Sequence, residues 1–227
     1  MLKINIVIVT YNRLNLLKEA VNAAVNQTYK AHRIFIVDNC STDGTADFLR
    51  NLEYDQITVT RTHRNIGGAG GFAEGVRICE QSGDYDYLML IDDDAILNLN
   101  CLEALASAIN KHPNVPALST VVRTNGEIDT GHRQRFAPRL LARLSNVPRE
   151  EYEHDYFICD VATFCGIAIK NSIIKRIGLP EADFFIWNDD VEYSIRINQF
   201  GGIMNVNNAC LNHKTTAAPP KETLSWK

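Results

Sequence analysis

Three consecutive aspartates, Asp92–Asp94, are the residues whose type and spacing most directly suggest chemistry. They follow the apolar run Tyr87–Ile91, which is short, continuous and bounded by polar residues, a pattern typical of a buried parallel strand. Adjacent carboxylates repel one another, and burying one of them without a partner is costly. Because α/β sheets bind ligands at the carboxyl ends of their strands, the triplet indicates either a cation site or a solvated acidic loop.

A second acidic segment, Trp187–Glu192, reads WNDDVE. Asp189 followed three residues later by Glu192 fits a capping box at the start of a helix that ends at Gly201. Capping leaves Asp190 and Trp187 unexplained. In the first helical turn Asp190 would be stabilised as an anion, and with Trp187 packed on a sugar face it could accept a proton from a sugar hydroxyl.

The glycine-rich run Gly67–Ala73 lies between a predicted strand and a predicted helix. Its spacing Gly68-x-Gly70-x-x-Ala73 matches a dinucleotide-binding fingerprint, with Asp92 about twenty residues further on. The run follows the third predicted strand, however, whereas the fingerprint normally follows the first. Its glycines could bring backbone amides close to a phosphate, or they could let a helix pack closely on the sheet. An NAD-dependent oxidoreductase is therefore one hypothesis for this chain.

His213 follows the apolar run Ala209–Leu211 at the end of the last predicted strand. It would join a metal site if that strand returned it to the edge that carries Asp92–Asp94; otherwise a lone histidine is more often a surface residue. The other histidines show no ligand spacing among themselves: His32, His63, His112, His132 and His154.

Alternating strand and helix patterns must position these residues. The predicted strands of the first half cover residues 4–9, 33–37, 57–60 and 87–91. The predicted helices cover 14–25, 70–81 and 99–111, with a further helix capped by Ser41 or Thr42. This alternation predicts an α/β fold, with a mostly parallel sheet and helices on both faces. The turns after the strands should then meet in one crevice, bringing together Asn12, Asp38, Asn65 and Asp92–Asp94.

The second half of the chain is less regular. Residues 117–123 and 156–169 read as strands. Residues 124–155 carry many charges and indicate a long loop, with a short helix near Leu140–Leu144, that serves as a lid or binding loop.

Composition limits the class of protein. A chain of 227 residues suits one domain with a full core. The net charge of −4 argues against nucleic acid as a partner. Six scattered cysteines without a Cys-x-x-Cys pair indicate buried free thiols in a reducing compartment. The amino terminus has neither a transmembrane span nor a signal cleavage site, so we expect a cytoplasmic protein.

Several of these segments resemble inverting family 2 glycosyltransferases of the GT-A fold. The resemblance lies in Val7–Arg13, in Val37–Asn39 with Ser41–Thr45, and in Asp92–Asp94, and it covers nearly the whole chain in the right order. Arg64–Phe72, Trp187–Glu192 and His213 are similar to the galactofuranosyltransferase branch. Rhamnosyltransferase-type members, which use a dTDP-sugar, are close as well.

The resemblance implies a role for each candidate residue. Asp92, Asp94 and His213 would hold Mn²⁺ or Mg²⁺, for which oxygen ligands with one imidazole are suited. Asp190 would be the general base, Trp187 would support the acceptor, and Asp189 would orient the acceptor or cap its helix. The remaining residues would bind a UDP-sugar donor: Thr10, Asn12, Arg13, Asp38, Asn65, Gly68 and Asp93.

The resemblance also implies an organisation and a substrate class. We expect one GT-A domain over residues 1–227, with a nucleotide-sugar-binding half at 1–115 and an acceptor-binding and catalytic half at 116–227. Because related enzymes extend further, we expect the chain to be truncated at its carboxyl end. The implied reaction moves galactofuranose from UDP-galactofuranose to a glycan or lipid-linked glycan of a bacterial surface polysaccharide, at the inner face of the membrane and with peripheral membrane contact. A non-catalytic carbohydrate-binding module is the alternative outside enzymology.

Overall fold

The computed structural model of the chain describes residues 2–137 and 143–214. The strands in this part are β1 (Ile4–Thr10), β2 (Arg33–Asp38), β3 (Ile57–Arg61), β4 (Tyr87–Asp92), β5 (Ala95–Leu97), β6 (Ala117–Thr124), β7 (Glu127–Ile128), β8 (Arg133–Phe136), β9 (Leu144–Asn146), β10 (Tyr156–Cys159), β11 (Val161–Ala162), β12 (Ile167–Lys170) and β13 (Ile203–His213). The α-helices are α1 (Leu14–Val25), α2 (Thr45–Arg50), α3 (Gly67–Ser82), α4 (Cys101–Lys111), α5 (Asn171–Ile177) and α6 (Asp189–Asn198). Short 3₁₀ helices cover Thr130–His132, Arg149–Glu153 and Ala182–Phe184.

A ten-stranded sheet forms the centre, with its main path in the order β10-β13-β6-β12-β4-β1-β2-β3. Strands β3, β2, β1 and β4 run parallel to their neighbours, and β13 runs parallel to β6. Strand β12 is antiparallel to both β4 and β6 and so joins the two parallel groups. A separate small sheet has the order β11-β8-β9. The mostly parallel α/β sheet predicted from the sequence is confirmed.

Strand β1 shows why the sheet is covered on both faces. All seven of its residues are buried, as expected for a parallel strand without a solvent face. Because side chains alternate along a strand, Ile4, Ile6 and Ile8 enter the hydrophobic core that contains α1 and α4 residues. Val7 and Val9 enter the core on the other face, with residues of α3, α5 and α6. The carboxyl ends of β1, β2 and β4 are thereby fixed at one edge between two helical layers.

Some element predictions were wrong. The strand predicted over residues 156–169 is divided into β10, β11 and β12, because the turn at Phe164–Gly166 interrupts it and Gly166 has φ +90°. The loop predicted over residues 124–155 contains β7, β8 and β9, and most of the short helix predicted near Leu140–Leu144 lies outside the described residues. Neither Ser41 nor Thr42 caps α2, which begins after Gly44 in a left-handed conformation.

The six cysteines are free thiols, as predicted. Among residues 2–137 and 143–214, no helix has both the length and the apolar character required to cross a bilayer.

Candidate active site

The end of β1 is hydrogen-bonded to the aspartate triplet. Thr10 Oγ1 donates to Asp93 Oδ2 over 2.7 Å, and both side chains are buried. Arg13, in the turn that follows β1, donates from Nη1 to Asp94 Oδ2 at 2.6 Å and to Asp93 Oδ1 at 3.3 Å. The parallel pairing of β1 with β4 places these two strand ends side by side. The Arg13 guanidinium, in the turn after β1, therefore neutralises part of the negative charge at the end of β4.

The ends of β1 and β2 are joined in a similar way. Asn12 Oδ1 accepts from the backbone N–H of Thr42 at 2.6 Å, and the backbone N–H of Asn12 donates to Ser41 Oγ at 2.9 Å. Asp38, the last residue of β2, is fully buried and forms an ion pair of 2.5 Å with Arg61 at the end of β3. The turn after β2 is thus fixed from both sides.

Asn65 lies in the same polar region and helps to start α3. Its Oδ1 accepts from Asn39 Nδ2 and from the backbone N–H of Gly67, both at 2.9 Å. Asn39 Oδ1 in turn accepts from the backbone N–H of Ile66 at 2.9 Å. Hydrogen bonds therefore join the strand-end turns at one edge of the sheet. The single crevice predicted from the sequence is divided, however, because Asn65 and Asp38 each line a pocket separate from that of the aspartate triplet.

His213 reaches the triplet because of strand pairing. Strand β13 pairs with β5 so that His213 lies opposite Ala95, the residue after Asp94. The backbone N–H of Lys214 donates to the carbonyl of Asp94 at 2.8 Å. His213 Nε2 lies 3.3 Å from Asp94 Oδ1. Strand β13 therefore returns His213 to the edge that carries Asp92–Asp94, which was the condition for its joining a metal site.

A cavity of about 280 Å³ lies beside the triplet. Its lining includes eight of the predicted site residues: Arg13, Gly68, Asp92, Asp94, Trp187, Asp189, Asp190 and His213. The other predicted residues are not part of this lining: Thr10, Asn12, Asp38, Asn65 and Asp93. Asp93 supports the lining from behind, because it accepts hydrogen bonds from Thr10 and from the lining residue Arg13. Segments far apart in the chain therefore form one concave surface.

The pKa values of the three aspartates are shifted in different ways. Burial, with repulsion from Asp94 and Asp93, raises the pKa of Asp92 to about 8. Burial also raises the pKa of Asp93 to about 6, although Thr10 and Arg13 oppose the shift. Burial opposes ionisation of Asp94 too, but His213 and Arg13 prevail and lower its pKa. A cation bound beside Asp92 would favour its ionised form.

The donor chemistry here suits a hard divalent cation. Asp94 Oδ1 and His213 Nδ1 are buried without a hydrogen-bond partner, and the ion pair with Asp94 raises the pKa of His213. Carboxylate oxygens with one imidazole fit Mn²⁺ or Mg²⁺. Within residues 2–137 and 143–214, however, no group of three or more His, Cys, Asp or Glu residues is arranged to hold a metal ion. The metal ligands therefore remain a prediction.

The capping box predicted at Asp189 is wrong. Asn188 occupies the cap position in a left-handed conformation, with φ 68°, and Asp189 is the first residue of α6. The Glu192 side chain instead forms an ion pair of 2.6 Å with Arg196. The left-handed turn at Asn188 sets the start of the helix, and neither the Asp189 nor the Glu192 side chain caps it.

Asp189 and Asp190 are both protected from water. Burial and repulsion from Asp190 raise the pKa of Asp189 to about 6. Burial raises the pKa of Asp190 as well, although its Oδ1 accepts from the backbone N–H of Val191 at 2.7 Å. A carboxylate with a raised pKa is a stronger proton acceptor, which agrees with the predicted role of Asp190 as a general base. Trp187, beside it, is 81% exposed at the cavity rim.

The glycine-rich run serves two purposes. A Cβ on Gly71 would lie 2.5 Å from Val9 Cγ1, and one on Gly75 would collide with Val7, so these glycines let α3 pack directly on β1. Gly68 lines the cavity, with Ile186 at 4.0 Å as the nearest atom to an added Cβ. Of the two interpretations left open by the sequence, close packing therefore explains Gly71 and Gly75, and Gly68 is available to a ligand.

Sequence reasoning missed several lining residues: Ala69, Phe72, His132, Thr163, Phe164, Cys165 and Ile186. His132 Nδ1 lies 2.8 Å from Thr163 Oγ1, and its ring meets the His213 ring edge-to-face at 5.2 Å. Burial and the neighbouring Arg133 lower the pKa of His132 to about 4. His132 and Thr163 are distant in the chain, and the pairing of β8 with β11 brings them together. No local spacing in the sequence could therefore predict their contact. The apolar character of residues 161–167 was the only available signal, and it indicated a strand.

Comparison with known proteins gives a consistent picture. The family profile described as "Glycosyl transferase family 2" matches residues 5–178. The chain is 27% identical over 202 residues to the galactofuranosyltransferase GlfT1 of Mycolicibacterium smegmatis, covering 86% of the chain and 65% of that protein. It is 29% identical over 203 residues to GlfT1 of Mycobacterium tuberculosis, covering 86% and 64%. The chain thus spans slightly less than two thirds of these relatives.

A solved structure supports the fold. The crystal structure of GalNAc-T7 with UDP, GalNAc and Mn²⁺ superposes with a TM-score of 0.74 over 96% of the chain and 45% of that protein, at 19% identity. This likeness confirms the predicted GT-A-type α/β fold.

Proposed function

Because the chain belongs to glycosyl transferase family 2, as its motifs predicted, we propose that it is an inverting transferase that uses a UDP-sugar. The proposed sugar is galactofuranose, which the similarity to two galactofuranosyltransferases supports. The family assignment displaces the oxidoreductase hypothesis.

The proposed donor site occupies the edge formed by β1, β2 and β4. Asp38 and Thr10 would contact the uridine, with Asn12 and Asn65 holding the turns around it. Both carboxylate oxygens of Asp38 already have partners, since Oδ1 accepts from the backbone N–H of Ser41 at 2.8 Å and Oδ2 from Arg61. Arg13 and Gly68 line the cavity and would lie against the diphosphate. Asp93 would approach the ribose or the sugar.

Asp92, Asp94 and His213 would hold Mn²⁺ or Mg²⁺, which when bound would supply positive charge to the leaving diphosphate. The proximity of His213 Nε2 to the buried Asp94 Oδ1, at 3.3 Å, supports this assignment. Arg13 contributes a permanent positive charge at the same place, because its Nη1 contacts both Asp93 and Asp94.

Asp190 would act as the general base. Its carboxylate would take the proton of the acceptor hydroxyl as that oxygen bonds to the anomeric carbon, while the bond from that carbon to the diphosphate oxygen breaks. Attack opposite to the leaving group inverts the configuration. Trp187 would offer its exposed ring to the acceptor, and Asp189 would help to orient it.

The acceptor in this proposal is a glycan or lipid-linked glycan of a surface polysaccharide, processed at the cytoplasmic face of the membrane. Exposed apolar side chains next to the cavity support contact with a lipid-linked acceptor or a membrane surface: Phe184, Phe185, Ile186 and Trp187.

One observation carries the proposal: a single cavity places Asp190, with its raised pKa, on the same lining as Asp92, Asp94 and His213. A thermal-shift screen of UDP-galactofuranose, other UDP-sugars, dTDP-rhamnose and NADH, each with and without Mn²⁺, tests it. We expect the largest stabilisation with UDP-galactofuranose and Mn²⁺, because a bound ligand raises apparent stability by mass action. Stabilisation by NADH alone would contradict the proposal, and binding without UDP release on addition of an acceptor would indicate a carbohydrate-binding module.

A further inference from the structure

Arg133 is a fully buried arginine behind the cavity. It has 0% exposure, and no carboxylate among the described residues forms an ion pair with it. A buried charge without an ion-pair partner is strongly unfavourable unless hydrogen bonds compensate for it.

Backbone carbonyls and one side-chain amide satisfy its guanidinium. Nη1 donates to the carbonyl of His132 at 2.6 Å, and Nη2 donates to the carbonyl of Cys165 at 3.0 Å. Nε and Nη2 both donate to the carbonyl of Thr120, at 3.1 and 2.7 Å, and Nε also donates to Asn205 Oδ1 at 3.0 Å. The branched guanidinium, here called the fork, therefore connects two segments of the cavity lining, one at His132 and one at Cys165, to β6 and β13.

We propose that Arg133 is a positioning residue of the transferase, whose buried guanidinium fixes the His132 and Cys165 segments of the cavity lining through its five hydrogen bonds. The inference rests on the proposed transferase function of this cavity. Arg133 does not contact substrate, and it acts through the lining that it holds.

The first test measures the position of the His132 segment without requiring turnover. The imidazole signals of ¹³C-labelled histidine are recorded by NMR, and those of His132 are assigned with His132→Gln. Arg133→Met keeps a long side chain without the guanidinium, and Arg133→Lys keeps the charge but loses the fork. In both variants we expect the His132 signals to shift or broaden, because the hydrogen bond from Nη1 to the His132 carbonyl is lost. Should Arg133→Met fail to fold, Arg133→Lys provides the variant without the fork.

The second test measures UDP release from UDP-galactofuranose, with n-octyl galactofuranoside as acceptor. Arg133→Met and Arg133→Lys should both lower kcat by about tenfold or more, with the KM for the donor little changed, because neither side chain can form the fork that holds the lining. Arg135→Met is the matched control, because Arg135 lies on the same strand but is partly exposed and paired with Glu151; it should behave as wild type.

His132 signals at their wild-type positions in a folded Arg133→Met or Arg133→Lys variant would overturn the inference. Wild-type kcat in Arg133→Lys would overturn the role of the fork. Full activity of Asp190→Asn would instead overturn the proposed function, so the two failures are distinguishable.

Discussion

Thr10 Oγ1 donates a 2.7 Å hydrogen bond to Asp93 Oδ2, which joins the carboxyl ends of the adjacent strands β1 and β4. The bond stabilises a buried carboxylate in the middle of the aspartate triplet.

Thr10→Val should therefore destabilise the fold and weaken donor binding. The variant keeps the shape of the side chain but leaves Asp93 with Arg13 as its remaining side-chain partner, at a cost of about 1–3 kcal/mol. Urea unfolding measures the stability, and calorimetric titration with UDP and Mn²⁺ measures binding. Thr58→Val, on the exposed edge strand β3, is the control and should change neither.

Asp190→Asn should abolish turnover with donor affinity largely kept. Loss of a general base reduces kcat by about 10²–10⁴-fold, while the amide still fills the same space. UDP release gives kcat, and thermal shift with UDP-galactofuranose gives binding. Glu192→Gln, on the same helix and paired with Arg196, should remain active. Unchanged turnover in Asp190→Asn would show that another group accepts the proton.

Asp94→Ala should weaken metal-dependent donor binding. It removes the carboxylate that contacts both Arg13 and His213, and we expect a loss of affinity on the order of 100-fold in the presence of Mn²⁺. Titration of UDP with and without Mn²⁺ checks this, with the exposed Asp47→Ala as control. The assignment fails if wild-type affinity for UDP is the same with and without the metal.

Asp189→Asn should stabilise the protein at pH 8 and lose this effect in acid. The folded-state pKa of Asp189 is about 6, above its ordinary value of 3.8, so the folded state prefers the protonated carboxyl. The stability from this preference is complete below pH 3.8 and disappears as pH rises through 6, where ionisation must occur inside the fold. Removing that requirement should gain about 1–2 kcal/mol at pH 8, allowing for partial solvent screening.

Thermal unfolding of both proteins between pH 4.5 and 8 measures this difference. Asp183→Asn, on an exposed residue of the preceding 3₁₀ helix, is the control. A gain that grows towards acid would contradict the sign of the shift.

Gly71→Ala should destabilise the fold, whereas Gly68→Ala should not. A Cβ on Gly71 would lie 2.5 Å from Val9 Cγ1, and overpacking of this kind costs about 1–3 kcal/mol. A Cβ on Gly68 has space beside Ile186, so Gly68→Ala should keep stability but alter donor binding at the cavity. Urea unfolding of both variants separates the two roles. Equal stability losses would contradict them.

The sequence predicted the sheet and the meeting of the strand-end turns at one edge because the first half of the chain follows a simple rule. Continuous apolar runs such as Tyr87–Ile91 form buried parallel strands, and the polar residues after them must then meet at one edge. The approach of His213 to Asp94 was conditional, since it depends on the pairing of β13 with β5, which no local pattern encodes.

The remainder of the site depends on tertiary contacts. Asp189 looked like a helix cap because its spacing to Glu192 is right, but the left-handed Asn188 starts the helix. His132 and Arg133 have no sequence signature, since their surroundings come from strands that are distant in the chain. Burial of an arginine can be recognised only when the carbonyls that satisfy it are known.

The contact between Phe185 and the start of α3 makes these two segments a single structural unit for protein engineering. The Phe185 carbonyl accepts from the backbone N–H of Ala69 at 3.1 Å, and it lies so close to Gly67 that a side chain there would collide with it. Phe185, Trp187 and Asn188 all have positive φ. A graft of residues 178–188 from a relative should therefore include that relative's residues at 66–69, because the two segments can be exchanged only as a matched pair.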